Sequence, residues 1–538
     1  MQKEISNALS FVINNGYQIH PDAFAMLKGL DIDILKAVKD IVKIKVRQKG
    51  ASFIVVEDIK NLINTEGKSA DVNGVSRNTL LDTAAPIIDA NHLSNSITIA
   101  SSSDFQRQQQ QQQHSFKVLL DSTPSINSGE GVNGYTSLFR SRFEKSLRIL
   151  ALRPDSKRIT KISSLKRKSN NVRSRKSYEI DGDPNKNSSS VVAGLLMSKR
   201  SKKNGLEMTI DDYSGMLNVL AITEELKKQA SMLALDQMVM LEVDNANKKG
   251  MQGFIVKNLV SPDIPDHLPN RSKSESYVIL ISDLHVGSKY FLEAEFLRFL
   301  SWLSSTEDEI VSKIKFVCIG GDIIDGIGIF PNQEKELIEM DTGKQMSHAI
   351  DLLAKIPQHI KVFIIPGNHD PGRRALPQPA LPRKHSDKLY FFENFAMLGN
   401  PSLLELNSVK ILMYHGQSLD DIIATTPGLS YSKPAEAMKV LLKARHLSPI
   451  YGERTPIGPE LEDMMVITEV PDIFHSGHVH SIDVQNYRGT LIVNSGAWQA
   501  QTKYQQTIGI VPTPGIAIAV NLVNLQPFQM DFNRINPM

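Results

Sequence analysis

The stretch Lys361-Val362-Phe363-Ile364-Ile365-Pro366-Gly367-Asn368-His369-Asp370 sets an amide, an imidazole and a carboxylate directly after an apolar run. Four shorter blocks have similar composition, and three of them also follow apolar runs, at 277–281, 315–319 and 409–413. These blocks are Asp283-Leu284-His285, Gly321-Asp322, His415-Gly416 and Gly477-His478-Val479-His480. Short apolar runs that end in glycine and a polar residue predict strands with polar side chains on the following loops. Because α/β sheets carry their chemistry at strand ends, the pattern predicts an α/β domain with one composite site.

The donor types in these blocks indicate metal binding. A mixture of carboxylate, amide oxygen and imidazole suits Mn²⁺, Fe or Zn²⁺ better than Ca²⁺ or a thiolate-rich structural zinc site. The blocks offer more ligands than one ion needs, and a shared carboxylate would hold two ions ~3.5–4 Å apart, the spacing used for displacement at phosphorus. A histidine beside the pair would protonate the leaving oxygen. The residues therefore predict a two-metal site that hydrolyses phosphate esters.

The order of the five blocks resembles the calcineurin-like metallophosphoesterase superfamily. The resemblance implies a β-sandwich with flanking helices and two divalent ions. It also implies the following roles. One ion would be held by Asp283, His285, Asp322 and His480, and the other by Asp322, Asn368, His415 and His478, with His369 as a catalytic residue that binds no metal and Asp370 as the residue that orients its motif.

Further motifs resemble the small subunits of archaeal family D DNA polymerases. They are Asp370-Pro371-Gly372-Arg373-Arg374 with Pro377-Gln378-Pro379-Ala380-Leu381, Arg445-His446-Leu447-Ser448-Pro449-Ile450-Tyr451-Gly452, and Trp498-Gln499-Ala500-Gln501. The resemblance covers roughly residues 190–520. It implies a proofreading 3′→5′ exonuclease that acts on DNA with a 3′ end. Mn²⁺ is the first expectation for the metal, with Mg²⁺, Fe and Zn²⁺ as alternatives.

The same resemblance implies a large catalytic polymerase subunit as partner, in a heterodimer or a larger heteromer. Contacts with a sliding clamp or a primase would come through that complex. Two alternatives remain open. The chain could be a free-standing metallophosphoesterase, such as a repair nuclease, or a non-catalytic assembly subunit like the B subunits of eukaryotic replicative polymerases, which have lost their metal ligands.

Composition sets the broad class of the chain. A length of 538 residues predicts two or three domains, and 41% hydrophobic residues predict a globular protein. The single cysteine, Cys318, excludes an internal disulfide and fits a reducing compartment. No apolar run approaches the ~18 residues of a membrane span, and the first residues lack a signal-peptide pattern. We therefore expect a cytoplasmic protein with no membrane contact.

Periodicity and composition predict a multi-domain α/β chain with five segments. These are an N-terminal helical module at 1–65, a disordered Gln- and Ser-rich linker at 66–134, a helix with a basic linker at 135–187, an OB-fold at 188–265, and a last segment at 272–538, which the resemblance implies is the metallophosphoesterase domain.

Two groups of basic residues are candidates for DNA binding. Lys166, Arg167 and Lys168 belong to a basic run, from 157 to 176, that contains no carboxylate. Arg373 and Arg374 follow the His369 block. Such residues attract the phosphate backbone, although a solvated linker and a soluble surface are the plain alternatives.

Overall fold

The computed structural model describes residues 115–167, 189–248 and 251–533, and, before these, only residues 18–19, 36, 39, 41 and 53–54. The chain divides into two compact units, Met1–Ile99 and Ala100–Met538. In the first, β1 (Gln18–Ile19) and β2 (Phe53–Ile54) pair in parallel, and residues 36, 39 and 41 are helical. Most of the predicted N-terminal module, and residues 66–114 of the predicted linker, lie outside the described residues.

The second unit contains two sheets and a barrel. Its strands are β3 (Phe116–Asp121), β4 (Ser190–Lys202), β5 (Gly205–Asp211), β6 (Met216–Ala221), β7 (Met238–Lys248), β8 (Met251–Val260), β9 (Tyr277–Ile281), β10 (Ile314–Ile319), β11 (Lys361–Ile364), β12 (Phe395–Met397), β13 (Ser402–Leu406), β14 (Val409–Met413), β15 (Ile473–Ser476), β16 (Asp483–Tyr487), β17 (Thr490–Asn494), β18 (Ile516–Asn521) and β19 (Pro527–Asp531). Its α-helices include Gly131–Ala151, Glu224–Ser231, Glu293–Leu303, Glu309–Lys313, Thr342–Leu353, Arg383–Ser386, Leu419–Thr425, Pro434–Ala444 and Lys503–Thr507, and residues 162–167 are also helical.

Two six-stranded sheets form a sandwich. Their strand orders are β12-β11-β10-β9-β18-β19 and β16-β17-β15-β14-β13-β3. Val278 and Leu280 of β9 share one buried cluster with Ile411 and Met413 of β14, so the two sheets pack face to face. The strands that precede the functional loops are apolar on both faces, which is the pattern of a doubly covered sheet.

Helices cover the outer face of each sheet. Alternate residues of β9 point to opposite faces of the sheet. Val278 and Leu280 face the sandwich interior, whereas Ile279 and Ile281 pack in a second cluster with helices Glu293–Leu303 and Thr342–Leu353. Leu412 of β14 packs in a third cluster with helices Leu419–Thr425 and Pro434–Ala444. The domain is therefore four layers deep, and the predicted α/β class is confirmed.

The prediction of a disordered linker at 66–134 is wrong for its last part, which contains strand β3 and the start of a helix. Strand β3 pairs with β13 at the edge of the second sheet, with Leu120 opposite Leu403. Asp121 also accepts a hydrogen bond from the backbone N–H of Gly399, at 2.8 Å. The low-complexity composition upstream hid this strand, because its stabilising partners lie almost 300 residues away in the sequence. The next predicted boundary, at 134/135, falls inside helix Gly131–Ala151.

That helix is anchored to the domain by a buried ion pair. Nε of Arg142 lies 2.8 Å from Oδ2 of Asp463, and both side chains are 1% exposed. His446 Nε2 lies 2.9 Å from the same carboxylate oxygen. The buried carboxylate therefore connects three segments that are distant in the sequence.

Strands β4 to β8 form a closed five-stranded barrel in the order β4-β5-β6-β8-β7. Helix Glu224–Ser231 lies between β6 and β7, and its N-terminus is capped by the hydroxyl of Thr223. Ile162 and Leu165 of the preceding helical segment pack in the barrel cluster. The basic residues at 198–202 continue β4, and Lys199 donates to the backbone carbonyls of Ser231 and Leu233.

Within the part of the chain that the structure describes, no helix combines the length and apolar character needed to span a membrane.

Candidate metal centre

The predicted site residues lie on loops that directly follow strands. Strands β9, β10 and β11 are parallel neighbours in one sheet. The loop after β9 carries Asp283 and His285, the loop after β10 carries Asp322, and the loop after β11 carries Asn368 and His369. Strands β14 and β15 are parallel neighbours in the other sheet, and they lead to His415, and to His478 and His480. Since parallel strands end at the same edge of a sheet, these loops meet at one end of the sandwich.

Several of these residues have a backbone conformation that L-residues rarely adopt. The φ angles of Asp283, His285, Asp322, His478 and His480 lie between 53° and 68°. A non-glycine residue in this left-handed region costs of order 1–3 kcal/mol and is often found at a functional site. The chain therefore accepts strain at the positions that aim these side chains inward.

Two glycines in the blocks are required by close packing. A Cβ on Gly367 would clash with the Asp322 carboxylate, and a Cβ on Gly477 would clash with Asp283. The glycines let two loops approach the carboxylates closely, so that backbone N–H groups can bind them. Both oxygens of Asp283 accept from the N–H of His478, at 3.1 and 2.9 Å.

The first group of metal-ligand candidates comprises Asp283, His285 and His480. The Nε2 atoms of His285 and His480 lie 3.0 Å apart. Oδ1 of Asp283 lies 3.8 Å from the first of these nitrogens and 3.5 Å from the second. The three side chains are buried, and their donor atoms converge on one point.

The second group comprises Asp322, His415 and His478. Nε2 of His415 lies 3.3 Å from Oδ2 of Asp322 and 2.9 Å from Oδ1 of Asn368. Nδ1 of His415 lies 2.8 Å from the carbonyl of Gly320, which orients Nε2 toward the carboxylate. All four predicted ligands of the second ion are thus brought together.

Asp322 connects the two groups. Its Oδ2 lies 3.3 Å from Nε2 of His415 in one group and 3.8 Å from Nε2 of His285 in the other. The same oxygen lies 3.9 Å from Nε2 of His369. This carboxylate is placed where a bridging ligand between two ions would be needed.

His369 lies beside both groups with one ring nitrogen already engaged. Its Nδ1 lies 2.8 Å from the backbone carbonyl of Asp325, and its backbone N–H donates to Asp322. Its Nε2 lies 3.9 Å from Oδ2 of Asp322, and the residue lines the cavity beside the two groups. His285, Asp325 and His369 also form a third cluster with metal-ligand spacing. The geometry therefore allows His369 to be either a metal ligand or a catalytic residue that binds no metal.

Asp370 forms hydrogen bonds with the backbone of two neighbouring loops. Its carboxylate accepts from the N–H groups of Ile323, Ile324 and Gly367, at 2.9, 3.2 and 2.9 Å. These bonds join the loop after β10 to the loop after β11. Burial and the nearby Asp322 raise the pKa of Asp370 to about 6. Its place in the structure is that of a positioning residue.

Charge in the site is balanced between carboxylates and imidazoles. Burial acts to lower the pKa of His285, but Asp283 and Asp325 override it and raise that pKa to about 10. Burial likewise opposes the charge on His415, but Asp322 raises its pKa to about 9. Burial favours protonation of Asp283 and Asp322, yet the histidines hold the pKa of both below the usual range. Protonated imidazoles therefore supply positive charge that a divalent cation would replace.

Sequence reasoning missed several residues that support the ligands. Asp325 lies 3.1 Å from Nδ1 of His285, and Asp420 lies 3.3 Å from Nε2 of His478. The side-chain amide of Gln505 lies 2.8 Å from Nδ1 of His480. Asp325 follows the Gly321-Asp322 block by only three residues, which is a signal that was available. Nothing local marks Asp420 or Gln505.

The predicted DNA-binding residues do not join this cluster. Arg373 forms an ion pair with the buried Glu460, at 2.6 Å, which gives it a structural role. Arg374 is exposed and donates to the carbonyl of Gly328, at 3.4 Å. Lys166 and Arg167 are exposed at the end of the helical segment that packs on the barrel. Lys168 lies outside the described residues.

The donor set fits divalent metal ions. Two imidazole nitrogens that face each other at 3.0 Å, with a carboxylate within 3.8 Å, form a pocket for a cation. The second group adds a carboxylate and an amide oxygen beside an imidazole. Mixed nitrogen and oxygen donors of this kind bind borderline divalent metals.

Comparison with known proteins places the chain in a family. Residues 278–482 match the family model for the B subunit of DNA polymerases alpha and epsilon. The DNA polymerase II small subunit of Archaeoglobus fulgidus is 35% identical over 410 residues, which cover 74% of this chain and 77% of that protein. That of Methanothermobacter thermautotrophicus is 35% identical over 414 residues, covering 76% and 81%. The chain belongs to the archaeal family D polymerase small subunits.

Membership of this family confirms the resemblance seen in the motifs. The corresponding subunit of Pyrococcus horikoshii is 36% identical over 425 residues, which cover 76% of this chain. The matched part spans 65%, 62% and 64% of the lengths of the three Pyrococcus relatives, a little under two thirds.

Solved structures show only weak overall likeness. Zinc-bound Vps29 of Entamoeba histolytica is 15% identical, with 48% of this chain and 99% of that chain covered, at a TM-score of 0.24. An archaeal phosphodiesterase is 12% identical, covering 47% and 98%, at a TM-score of 0.25. The sandwich is defined by its own strand pairings.

Proposed function

We propose that this chain is the 3′→5′ exonuclease subunit of a family D-type DNA polymerase and hydrolyses phosphodiester bonds at DNA 3′ ends with two metal ions. The observation that carries the proposal is the position of Asp322, whose Oδ2 lies within 3.3–3.9 Å of imidazole nitrogens of His415, His285 and His369. The same cavity contains residues of both ligand groups. Family membership supplies the polymerase context.

Two ions would be held by the groups predicted from sequence, with Asp322 shared between them. Divalent ions, when bound, supply Lewis acidity that activates water and neutralises charge on the phosphate. We propose Mn²⁺, with Mg²⁺, Fe and Zn²⁺ as alternatives, because the imidazole-rich donor set disfavours Ca²⁺. Asp325 and the carbonyl of Gly320 orient His285 and His415 from behind.

His369 is the residue placed to act on the leaving oxygen. His369 lines the cavity, its Nδ1 is engaged by the carbonyl of Asp325, and its Nε2, 3.9 Å from Oδ2 of Asp322, is the nitrogen left to act. With Nδ1–H donated to that carbonyl, Nε2 must take up a proton from solvent before His369 can pass it to the leaving oxygen, and the burial that lowers the pKa of His369 favours release of that proton. Proton transfer by a positioned side chain of this kind contributes about 10²–10⁴-fold to a rate.

The finer fold assignments belong to the same proposal. The sandwich with its strand-end ligands supports a calcineurin-like phosphoesterase domain, and the five-stranded barrel with a helix between its third and fourth strands supports an OB-fold. For partners we propose the large catalytic polymerase subunit and a DNA 3′ end. A sliding clamp or primase would be reached through the complex.

The shared carboxylate provides the test. Asp322→Ala removes a ligand from both groups and should abolish Mn²⁺-dependent removal of a mismatched 3′ nucleotide, while circular dichroism shows an intact fold. Asp351→Ala, an exposed carboxylate on helix Thr342–Leu353, is the matched control and should keep wild-type activity. Wild-type activity in Asp322→Ala would contradict the two-metal assignment.

The two alternatives have their own tests. Absence of hydrolysis by the wild-type chain with any of the four metals would favour a non-catalytic assembly subunit. Purification of the chain from native extract, without a stoichiometric polymerase subunit, would favour a free-standing phosphoesterase.

A further inference from the structure

The cavity beside the metal centre has an aromatic wall that the hydrolysis itself does not use. The cavity has a volume of about 260 Å³ and is lined on one side by metal-ligand candidates. Phe330 and Tyr504 line it as well, with stacked rings whose centroids are 5.3 Å apart and whose planes differ by 20°. The Tyr504 side chain is 46% exposed. Two stacked rings in the wall of the cavity, one of them partly exposed, leave aromatic surface that a third ring could cover.

Phe330 is held in place by a buried glutamine. Gln333 accepts a hydrogen bond from the backbone N–H of Ile329, at 2.9 Å, and donates to the backbone carbonyl and the carboxylate of Asp325, at 2.8 and 3.0 Å. Gln333 is fully buried. The loop that carries Phe330 is therefore fixed to the residue that contacts His285.

Tyr504 is fixed to the metal centre from the other direction. It lies in the short helix Lys503–Thr507, whose N-terminus is closed by a capping box between Thr502 and Gln505. The side-chain amide of Gln505 also lies 2.8 Å from Nδ1 of His480. The aromatic wall and the metal ligands thus have a fixed relative position.

A cationic side chain completes the cavity. Arg454 lines it together with His478 and is exposed to solvent. A guanidinium group suits phosphate oxygens because its donors form a planar fork. The cavity therefore offers an aromatic surface, a cation and a metal centre, which match the base, a phosphate and the scissile bond of a nucleotide.

We propose that Phe330 and Tyr504 form a subsite for the base of an unpaired 3′-terminal nucleotide, and that Arg454 contacts its phosphate. This inference rests on the proposed exonuclease function and specifies its substrate. Stacking tolerates any base, since every base has a π face. A base must leave its duplex to reach the wall, and this costs least when it is mismatched. Preference for a mismatched end then follows from the subsite.

The test measures stacking in the absence of metal. The full chain in EDTA is titrated with a single-stranded oligonucleotide whose 3′-terminal base is 2-aminopurine, and fluorescence quenching is recorded. Wild type and Tyr504→Phe should quench strongly, because both keep the ring. Tyr504→Ala should quench less and bind about tenfold more weakly, within the range known for loss of one base–aromatic stack.

A matched control and a second substrate keep the test specific. Phe391→Ala removes an aromatic ring that is 74% exposed and does not line the cavity, and it should behave as wild type. An oligonucleotide with an abasic 3′ end should bind wild type and Tyr504→Ala equally. Equal quenching by wild type and Tyr504→Ala would overturn the subsite. Mn²⁺-dependent hydrolysis by wild type, measured separately, reports on the proposed function alone.

Discussion

Oδ1 of Asp325 lies 3.1 Å from Nδ1 of His285, the ring nitrogen that does not contact His480. The other ring nitrogen, Nε2, lies 3.0 Å from Nε2 of His480. A carboxylate behind a ligating histidine fixes its ring orientation and increases its basicity. Gln333 and Gln499 in turn hold Asp325, each at 3.0 Å. The ligand is therefore positioned by a chain of buried polar contacts.

Asp325→Asn should weaken binding of one metal ion by about 10–100-fold, because the amide keeps the shape but loses the charge that orients His285. Isothermal titration with Mn²⁺ would measure this change. Asp351→Asn, an exposed substitution on helix Thr342–Leu353, provides the control. Unchanged affinity in Asp325→Asn would show that the contact does not support a ligand.

His369→Ala separates the two roles that the geometry allows. If His369 transfers a proton, the variant should bind both metal ions while its rate falls by roughly 10²–10⁴. His480→Ala, which removes a candidate ligand, should instead lose metal and regain some activity in excess Mn²⁺. Metal analysis beside exonuclease assays on a mismatched primer would decide. Loss of a metal ion from His369→Ala, with rescue by Mn²⁺, would make His369 a ligand.

Metal binding should release protons and become tighter as the pH rises. The pKa of His285 is raised to about 10 and that of His415 to about 9, against burial, by neighbouring carboxylates. Both imidazoles are therefore protonated at neutral pH and must lose the proton to bind metal. Mn²⁺ affinity should increase from pH 7 toward pH 9. Titrations in two buffers with different ionisation enthalpies would count the protons, and zero release would contradict the charge balance described above.

Replacement of Lys166, Arg167 and Lys168 by glutamine should weaken DNA binding and reduce its dependence on salt. For each phosphate of duplex DNA that the variant no longer neutralises, the slope of log K against log salt should become shallower by about 0.9. Fluorescence anisotropy at several salt concentrations would measure the slope. The same substitution at Lys384 and Lys388, two exposed lysines between β11 and β12, is the control. An unchanged slope would leave the basic run as a solvated linker.

The barrel is a part of the fold that local sequence patterns were sufficient to predict. Periodicity predicted an OB-fold at 188–265, and the structure has a closed five-stranded barrel there with a helix between the third and fourth strands. Thr223 supplied a recognisable helix cap. These features depend on neighbours close in the sequence, so the sequence displays them directly. Strand β3 depends instead on pairing with β13, and its surrounding composition indicated disorder.

The sequence by itself determined the types of ligand, their order, and their position after apolar strands. Asp283, Asp322, Asn368 and His415 could be selected in this way, because strand periodicity and loop position are local properties. Only the tertiary structure decided that Asp322 lies within 3.8 Å of both His285 and His415 and that Arg373 is engaged with Glu460. It alone brought Phe330 and Tyr504 into a stack across more than 170 residues of chain. Such pairs are formed by the packing of separate loops, and no local pattern in the sequence specifies which loops will meet.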